Sequence, residues 1–565
     1  MNILNQMKRV FFKTAARSGV MEPESISKNG ASPKSRMSRG NLIASAIVMI
    51  LCAFALHAQN TQTLAELRRG DALKEYLRPS LTTIFLDRGE AITQRLISQM
   101  VANGIPSKFD DNSVAHNALS VKGEVSVEYL RQVLEQQATK EIMRKWFPSF
   151  EQDKGWSLDV VHERGRYTAT DADYIAAMAS ALKESLLKDI GLNMINRSYI
   201  VVYDFFDAQT VKTEKSEGYS TNCNVYLFHL DWDAVKSAFY DNWLNPKAID
   251  ELTFPVKFMA SMIGKSNLTP VKITQSNSGD LWRLSDDDLF RSFTKEIEKV
   301  ADVYLTEINE DFRVKAALFA TSPIRAKIGT KEGVTVDQRY FVYERQLNAA
   351  GEEVAKRKGV IRATSNIAKN DTVATGEGGT TTFYQTYGSR LYEGMTIQQK
   401  VDWGVGVSLR GGTDISVLGE FNVAMWLGQL IPALQNTKVP YGSKMYVRLD
   451  YPLSPMEING YQLSDSEGKA IHSWMFAFGV SKDFYFMRQL SLSPFLGITS
   501  LIKSSSTEGT IESVGKSTSN VEIGMNGSFA IVDNVQIVGS VSYNALKEGF
   551  FSAPLAFGVG LRYQF

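Results

Sequence analysis

Cysteine is nearly absent from this chain. Its 565 residues include two, Cys52 and Cys223, which excludes an intrachain disulfide framework and any zinc cluster built on cysteine. Histidine is scarce as well, with only His116, His162, His229 and His472 beyond the amino-terminal segment. No HExxH, CxxC, Walker A or GxSxG signature occurs, and no GxGxxG stands between a strand and a helix, so the usual metalloprotease, nucleotide-binding and hydrolase readings have no residues to rest on. Charge of one sign is missing too. The formal net charge is +1, with no basic block beyond the amino terminus, so nothing points to a nucleic-acid partner. Beyond that terminus there is also no apolar run of about 18 residues or more, and hence no candidate membrane-spanning helix. If the remainder enters a bilayer, it must do so as a closed barrel, the only other way to satisfy every backbone group in lipid. Disorder is excluded by a hydrophobic content of 44% against 22% charged residues, which are globular values.

What is present begins with an export signal. From Met37 the chain reads MSRGNLIASAIVMILCAFALHAQN: a positive start at Arg39, an apolar run from Leu42 to Leu56, and a small-residue end at Ala58. This is the three-part pattern of a secretory signal peptide over residues 37–58, with the mature chain expected to start at Gln59. Leu51 before Cys52 does not suit a lipoprotein site. Residues 1–36 read as an upstream extension, with Met37 the expected start.

The carboxyl-terminal third is ruled by alternation. In PLAFGVGLRYQF, Leu555, Phe557, Val559, Leu561, Tyr563 and Phe565 fall on one face of a strand, while Ala556, Gly558, Gly560, Arg562 and Gln564 fall on the other. The same pattern recurs upstream in segments beginning at Val401, Ile415, Met445, Trp474, Leu490, Val521 and Val535. With the last, that makes eight segments in about 165 residues, each near the length a tilted strand needs to cross a bilayer. Aromatic residues such as Trp403, Trp474, Phe484, Phe551 and Tyr563 gather at segment ends, as interfacial girdles do. The polar face carries Asp402, Arg410, Glu420, Arg448, Asp450, Asp483, Glu522 and Arg562. Eight consecutive strands favour closure around an interior just wide enough for side chains, where these acids and arginines are expected to pair.

On those residues, 399–565 resembles the small eight-stranded outer-membrane barrels of Gram-negative bacteria, the OmpA- and OmpX-type family. The resemblance implies outer-membrane lipid as the surroundings. It also implies that Phe557, Val559, Leu561, Tyr563 and Phe565 form the terminal signal read by the barrel-assembly machinery. One stretch departs from the family pattern. A short turn is expected between the second and third strands, yet Leu427–Ser443 lies there, and the strand count near 410–445 is accordingly open.

Upstream, residues 59–318 read as an α/β domain expected in the periplasm. Helices are predicted from a capping box at Thr170–Asp173 to Gly191, over Ser126–Trp146 before Pro148, and after a cap at Ser285 with Leu289, Phe293, Ile297, Val300 and Tyr304 on one face. Strands are predicted at Ser198–Phe205 and Cys223–Trp232. Residues 319–398 turn to short strands with glycine punctuation at Gly329, Gly333, Gly359 and Gly394. This stretch resembles the small closed β-barrel modules of bacterial envelope-assembly proteins.

The fold expected is therefore multidomain: a periplasmic α/β domain, a small β-barrel-like module and a transmembrane antiparallel barrel. Chemistry is hard to place on it. Cys223 and His229 share a strand face but stand about 20 Å apart. His472 and Ser473 sit at a barrel rim near Asp465 and Glu467, but adjacent strand residues point to opposite faces. The function expected is a non-enzymatic outer-membrane protein, without metal or cofactor, whose barrel anchors a periplasmic domain that recruits or organises envelope proteins. The alternatives are an outer-membrane enzyme modifying lipid and a secreted adhesin ending in a β-sandwich.

Overall fold

The computed structural model describes residues 78–168, 183–212, 216–266, 272–273, 286–347, 353–371, 379–430, 439–458, 460–464, 468, 470–501, 519–551 and 554–565. The signal-peptide, Thr170–Asp173 and Ser285 readings, with Asp465 and Glu467, lie outside them.

The α/β domain is built on one sheet. Strand β1 (Ser80–Asp87) runs parallel to β2 (Ser198–Lys212), which continues antiparallel through β3 (Ser216–Leu230) to β4 (Val256–Ser266). Both faces are covered, which is why β1 and β2 read as near-continuous apolar runs. On one face lie α1 (Ala91–Asn103) and a long helix (Asp286–Ile308), which buries Leu289, Phe293 and Ile297 as its spacing requires. The other face carries the helical run from Val127 to Trp146, capped by the Ser126 side chain and wound as a π-turn over Leu134–Ala138. Two sequence expectations need correction. Trp232 does not end a strand but opens a helix (Trp232–Asp241). Gly191 does not stop its helix, which runs on over Lys183–Ile195. A β-carbon there would fall 2.0 Å from the Val161 carbonyl oxygen of the neighbouring helix Asp159–Thr168. This glycine serves helix–helix contact, not termination.

Next in the chain is a closed six-stranded barrel: β5 (Lys315–Thr321), β6 (Ile324–Ala326), β7 (Arg339–Leu347), β8 (Glu353–Ala363), β9 (Thr381–Gly388) and β10 (Thr396–Lys400). It starts a few residues before Phe319, because Lys315–Ala317 pairs with Thr396–Gln398 to complete the ring. Tyr340, Val342, Ile361 and Ile397 fill its core.

The carboxyl-terminal third is a second closed barrel of eight antiparallel strands. They are β11 (Val405–Gly412), β12 (Asp414–Asn422), β13 (Ser443–Pro452), β14 (Met475–Lys482), β15 (Leu490–Leu501), β16 (Ser519–Ala530), β17 (Val535–Asn544) and β18 (Leu555–Gln564). The ring closes where the last strand, β18, pairs with the first, β11, while β14 and β15 pair as consecutive neighbours like the other strands. Every expected segment is a strand, with shifted ends. Val401 and Trp403 precede β11, because Gly404 at φ +64° turns the chain just before it. Val423 and Met425 leave the predicted strand for a helix, α2 (Val423–Leu430). The long segment between the second and third strands is thus helical where it begins, and the count of eight stands.

Polarity is inverted relative to a water-soluble barrel. Val559 is 65% exposed and Ile523 58%, whereas Arg562 and Glu522 are at 0%. The exposed outer face also carries Phe478, Val480, Leu496, Phe529, Ile537, Phe557 and Leu561. A soluble sandwich would bury these side chains against a second sheet, so the sandwich reading fails on both closure and polarity. Such a surface is stable only in a hydrocarbon environment.

Substitution on that outer face tests the assignment. Val559→Arg sets a charge against lipid and should cost the folded barrel about 2–4 kcal/mol if it lies near mid-bilayer. At Gly558→Ala the closest approach is to the movable Ser540 hydroxyl at 3.1 Å, with ordinary contacts to Arg410 and Gly411, and it should cost much less. Urea titrations of folding into liposomes measure both, and equal costs would contradict an outer face in lipid.

Candidate functional site

The lumen is filled, not open. Arg448 binds Asp450 at 2.8 Å and Glu522 at 2.5 Å, and the Tyr446 hydroxyl donates to Glu522 at 2.6 Å. Arg562 binds Glu420 at 2.6 Å and donates to the Gln536 side chain at 3.0 Å. Asp483 receives Lys444 at 2.7 Å and the Ser493 hydroxyl at 2.6 Å. These groups come from inward-facing positions on strands that are not all neighbours, Arg448 on β13 and Glu522 on β16 among them, so it is closure of the ring that brings them together across the lumen. Seven of the eight charges expected in the lumen are inside it. Arg410 is there too, but its partner is the Asn526 side chain, at 2.9 Å, not a carboxylate.

The eighth, Asp402, is elsewhere. It precedes β11 and faces the six-stranded barrel, where it binds Arg362 at 2.6 Å and Arg339 at 3.6 Å. Those two arginines stand directly opposite each other on β7 and β8. Like charges in that relation destabilise a strand pair unless a counter-charge lies between them, and Asp402 supplies it. Burial works against its ionisation, but Arg339 and Arg362 prevail and hold the carboxyl below its usual range.

Around this bridge the small barrel is fastened to the end of the large one where β11 begins and β18 ends. Asp337, fully buried with φ +64°, accepts hydrogen bonds from the Asn422 side chain at 2.7 Å, the Gly442 backbone N–H at 2.8 Å and the Tyr384 hydroxyl at 2.8 Å. Its own carbonyl accepts from Arg362 at 2.8 Å. Arg357 binds Asp533 at 3.1 Å, and Arg339 donates to Asn534 at 3.0 Å. The four-residue connection 531–534 between β16 and β17 is therefore also a docking point. Tyr384 packs between Tyr441 and Tyr485, with ring centroids 4.9 and 5.3 Å away. The α/β domain joins through its long helix, where Lys299 donates to the Met425 carbonyl of α2 at 3.3 Å and lies over the Trp426 ring. The long connector after the second strand is thus the surface on which that helix rests.

The opposite end is sealed differently. Met456, Met475, Leu501, Leu546, Phe550 and Phe551 form an apolar cluster there, beside a buried Lys547–Asp414 pair. His472 stacks on Tyr451 with centroids 5.6 Å apart, and its Nδ1 lies 3.3 Å from the Pro452 carbonyl, an arrangement that serves packing. Cys223 is buried in the α/β core, its thiol pushed up by burial, and His229 binds the Asn196 carbonyl at 2.7 Å. Of the terminal residues, Phe557, Val559 and Leu561 face outward. Tyr563 and Phe565 meet edge to face at 4.7 Å, and the Phe565 N–H bonds to the Val405 carbonyl at 2.9 Å.

Closure, inverted polarity and a filled lumen define the class: a transmembrane β-barrel of the outer-membrane type, with two further domains at one end. No protein-family model matches the chain, and no curated protein does. Among solved structures it is similar to the outer membrane protein Ail of Yersinia pestis in a phospholipid nanodisc, at 14% identity and a TM-score of 0.19, over 28% of this chain and 97% of that one. It is also similar to the NanC porin, at 8% identity, TM-score 0.14, over 45% and 99%. A third is the β domain of the Bordetella autotransporter BrkA, at 11% identity, TM-score 0.14, over 63% and 87%. At such scores the barrel assignment rests on the strand pairings themselves.

The Asp402 bridge gives the site its test. Asp402→Ala leaves two guanidinium groups buried face to face and should weaken the junction by about 3–5 kcal/mol. Because the Asp402 pKa is depressed, the contribution is complete above the unfolded value of about 3.9 and disappears only as pH falls through the lower folded value. Protease protection of the 401–404 linker against urea reads this directly. An unchanged midpoint in the variant at neutral pH would show that the bridge fastens nothing.

Proposed function

We propose that this chain is a non-enzymatic outer-membrane protein that holds an α/β domain and a small barrel rigidly on the periplasmic side, where they recruit or organise other envelope components. The observation that carries the reading is the fastening of the small barrel through buried charges, Asp337, Arg339, Arg362 and Asp402. A domain on a loose tether has no use for such groups, whose burial costs several kcal/mol per ion before pairing repays it. Rigid fastening suits a platform whose orientation matters. The lumen fits the same role, since paired side chains fill it and both ends are covered, which suits an anchor better than a pore. The outward Phe557, Val559 and Leu561 and the terminal Tyr563 and Phe565 suit recognition by the barrel-assembly machinery. Outer-membrane lipid is the other partner.

Two measurements test this together. In planar bilayers the chain should give no large, stable conductance, and a photo-crosslinker at the exposed Leu244 of the α/β domain should yield discrete envelope-protein adducts in living cells. Porin-like currents, or a crosslinker that finds only water, would contradict the role. Lipid A mass spectra that change when the gene is removed would favour the enzyme instead.

A further inference from the structure

Arg410 is the unsolved group of the lumen. It is 4% exposed on β11, and a guanidinium does not give up its charge in a protein. One nitrogen, Nη1, donates to Asn526. Its Nε and Nη2 have no hydrogen-bond partner among the described residues, which leaves three N–H donors bare in a low-dielectric interior, where an uncompensated charge is costly. The nearby acids are committed. Glu420 is held by two nitrogens of Arg562, and Asp450 and Glu522 are both held by Arg448. The Tyr446 proton is already donated to Glu522.

A cavity opens beside Arg410, lined also by Arg448, Ser481, Tyr446, Asn526 and Glu420. The Ser481 hydroxyl is buried and without a hydrogen-bond partner among the described residues. Three guanidinium N–H groups and the Ser481 hydroxyl therefore stand ready to donate at this cavity, next to a second guanidinium. Glu420, the only carboxylate on the cavity wall among the described residues, is neutralised by Arg562. It also lines the space beneath the small barrel, so the cavity adjoins that polar compartment.

We propose that this cavity is a binding site for a small inorganic anion of halide size, held by Arg410 with the Ser481 hydroxyl. The anion supplies the counter-charge that the sequence denies Arg410, and it completes the packing of the lumen.

The test uses the full chain. Crystals grown or soaked in sodium bromide should show an anomalous peak beside Arg410 Nε and Nη2. In detergent, the temperature at which the barrel loses its fast mobility on unboiled gels should rise by about 3–5 °C for each tenfold increase in halide above the dissociation constant, relative to gluconate at equal ionic strength. Arg410→Met should abolish that dependence. A cavity holding only water in the bromide map, or a halide response unchanged in Arg410→Met, would overturn the proposal. If the variant does not fold, the bromide map of the natural chain decides alone.

Discussion

Closure of the eight-stranded ring is the constraint from which the rest follows. In a bilayer an open sheet edge leaves backbone groups without partners, at several kcal/mol each. The single β18–β11 ladder joins the two strands that would otherwise be edges. Eight strands then fix a diameter just wide enough for side chains, with room left for little else. Lipid outside demands apolar residues on one face of every strand, which sends every charge to the other, into that narrow space. There Arg448, Arg562 and Lys444 meet Asp450, Glu522, Glu420 and Asp483 at hydrogen-bonding distance. Paired charges in the lumen are the geometric remainder of putting the apolar face in lipid.

The same economy governs the ends. A narrow barrel leaves polar groups at its mouth that must be hydrated or covered, and here they are covered. At one end, Asp402 and Asp337 bind the small barrel, with the Asp533–Asn534 turn as a further hold. At the other, the apolar cluster around Phe550 and Met456 closes the interior. The connector α2, an addition no simple barrel needs, gives Lys299 of the long helix a carbonyl and an indole ring to rest on. Domain placement is thus written into the short segments between strands.

Local signals were legible and distant ones were not. Alternation revealed all eight strands, because a period of two is imposed on each strand by its own two environments. The long helix was visible from Leu289 to Tyr304 for the same reason, at a period near four. Strand ends were less legible. Gly404 and the start of α2 stop strands through backbone geometry, while Val423 and Met425 still fit the alternation. Gly191 resembled a helix stop because its role depends on Val161, thirty residues away on another helix. The docking residues were the least visible. Asp337, Arg339 and Arg362 look like ordinary surface charges until β7 meets β8 and the ring places Asp402 between them. A clue was available in two arginines on neighbouring short strands, but the register that sets them opposite each other is a tertiary fact.

The central claim is that the small barrel and the transmembrane barrel form one body. Spin labels at Leu347→Cys, on the tip of β7, and Met487→Cys, in an exposed turn of the transmembrane barrel, test it most directly, since Cys223 is buried. In lipid nanodiscs the account predicts one narrow distribution of distances between the labels. A broad distribution, as a tethered domain would give, would contradict it.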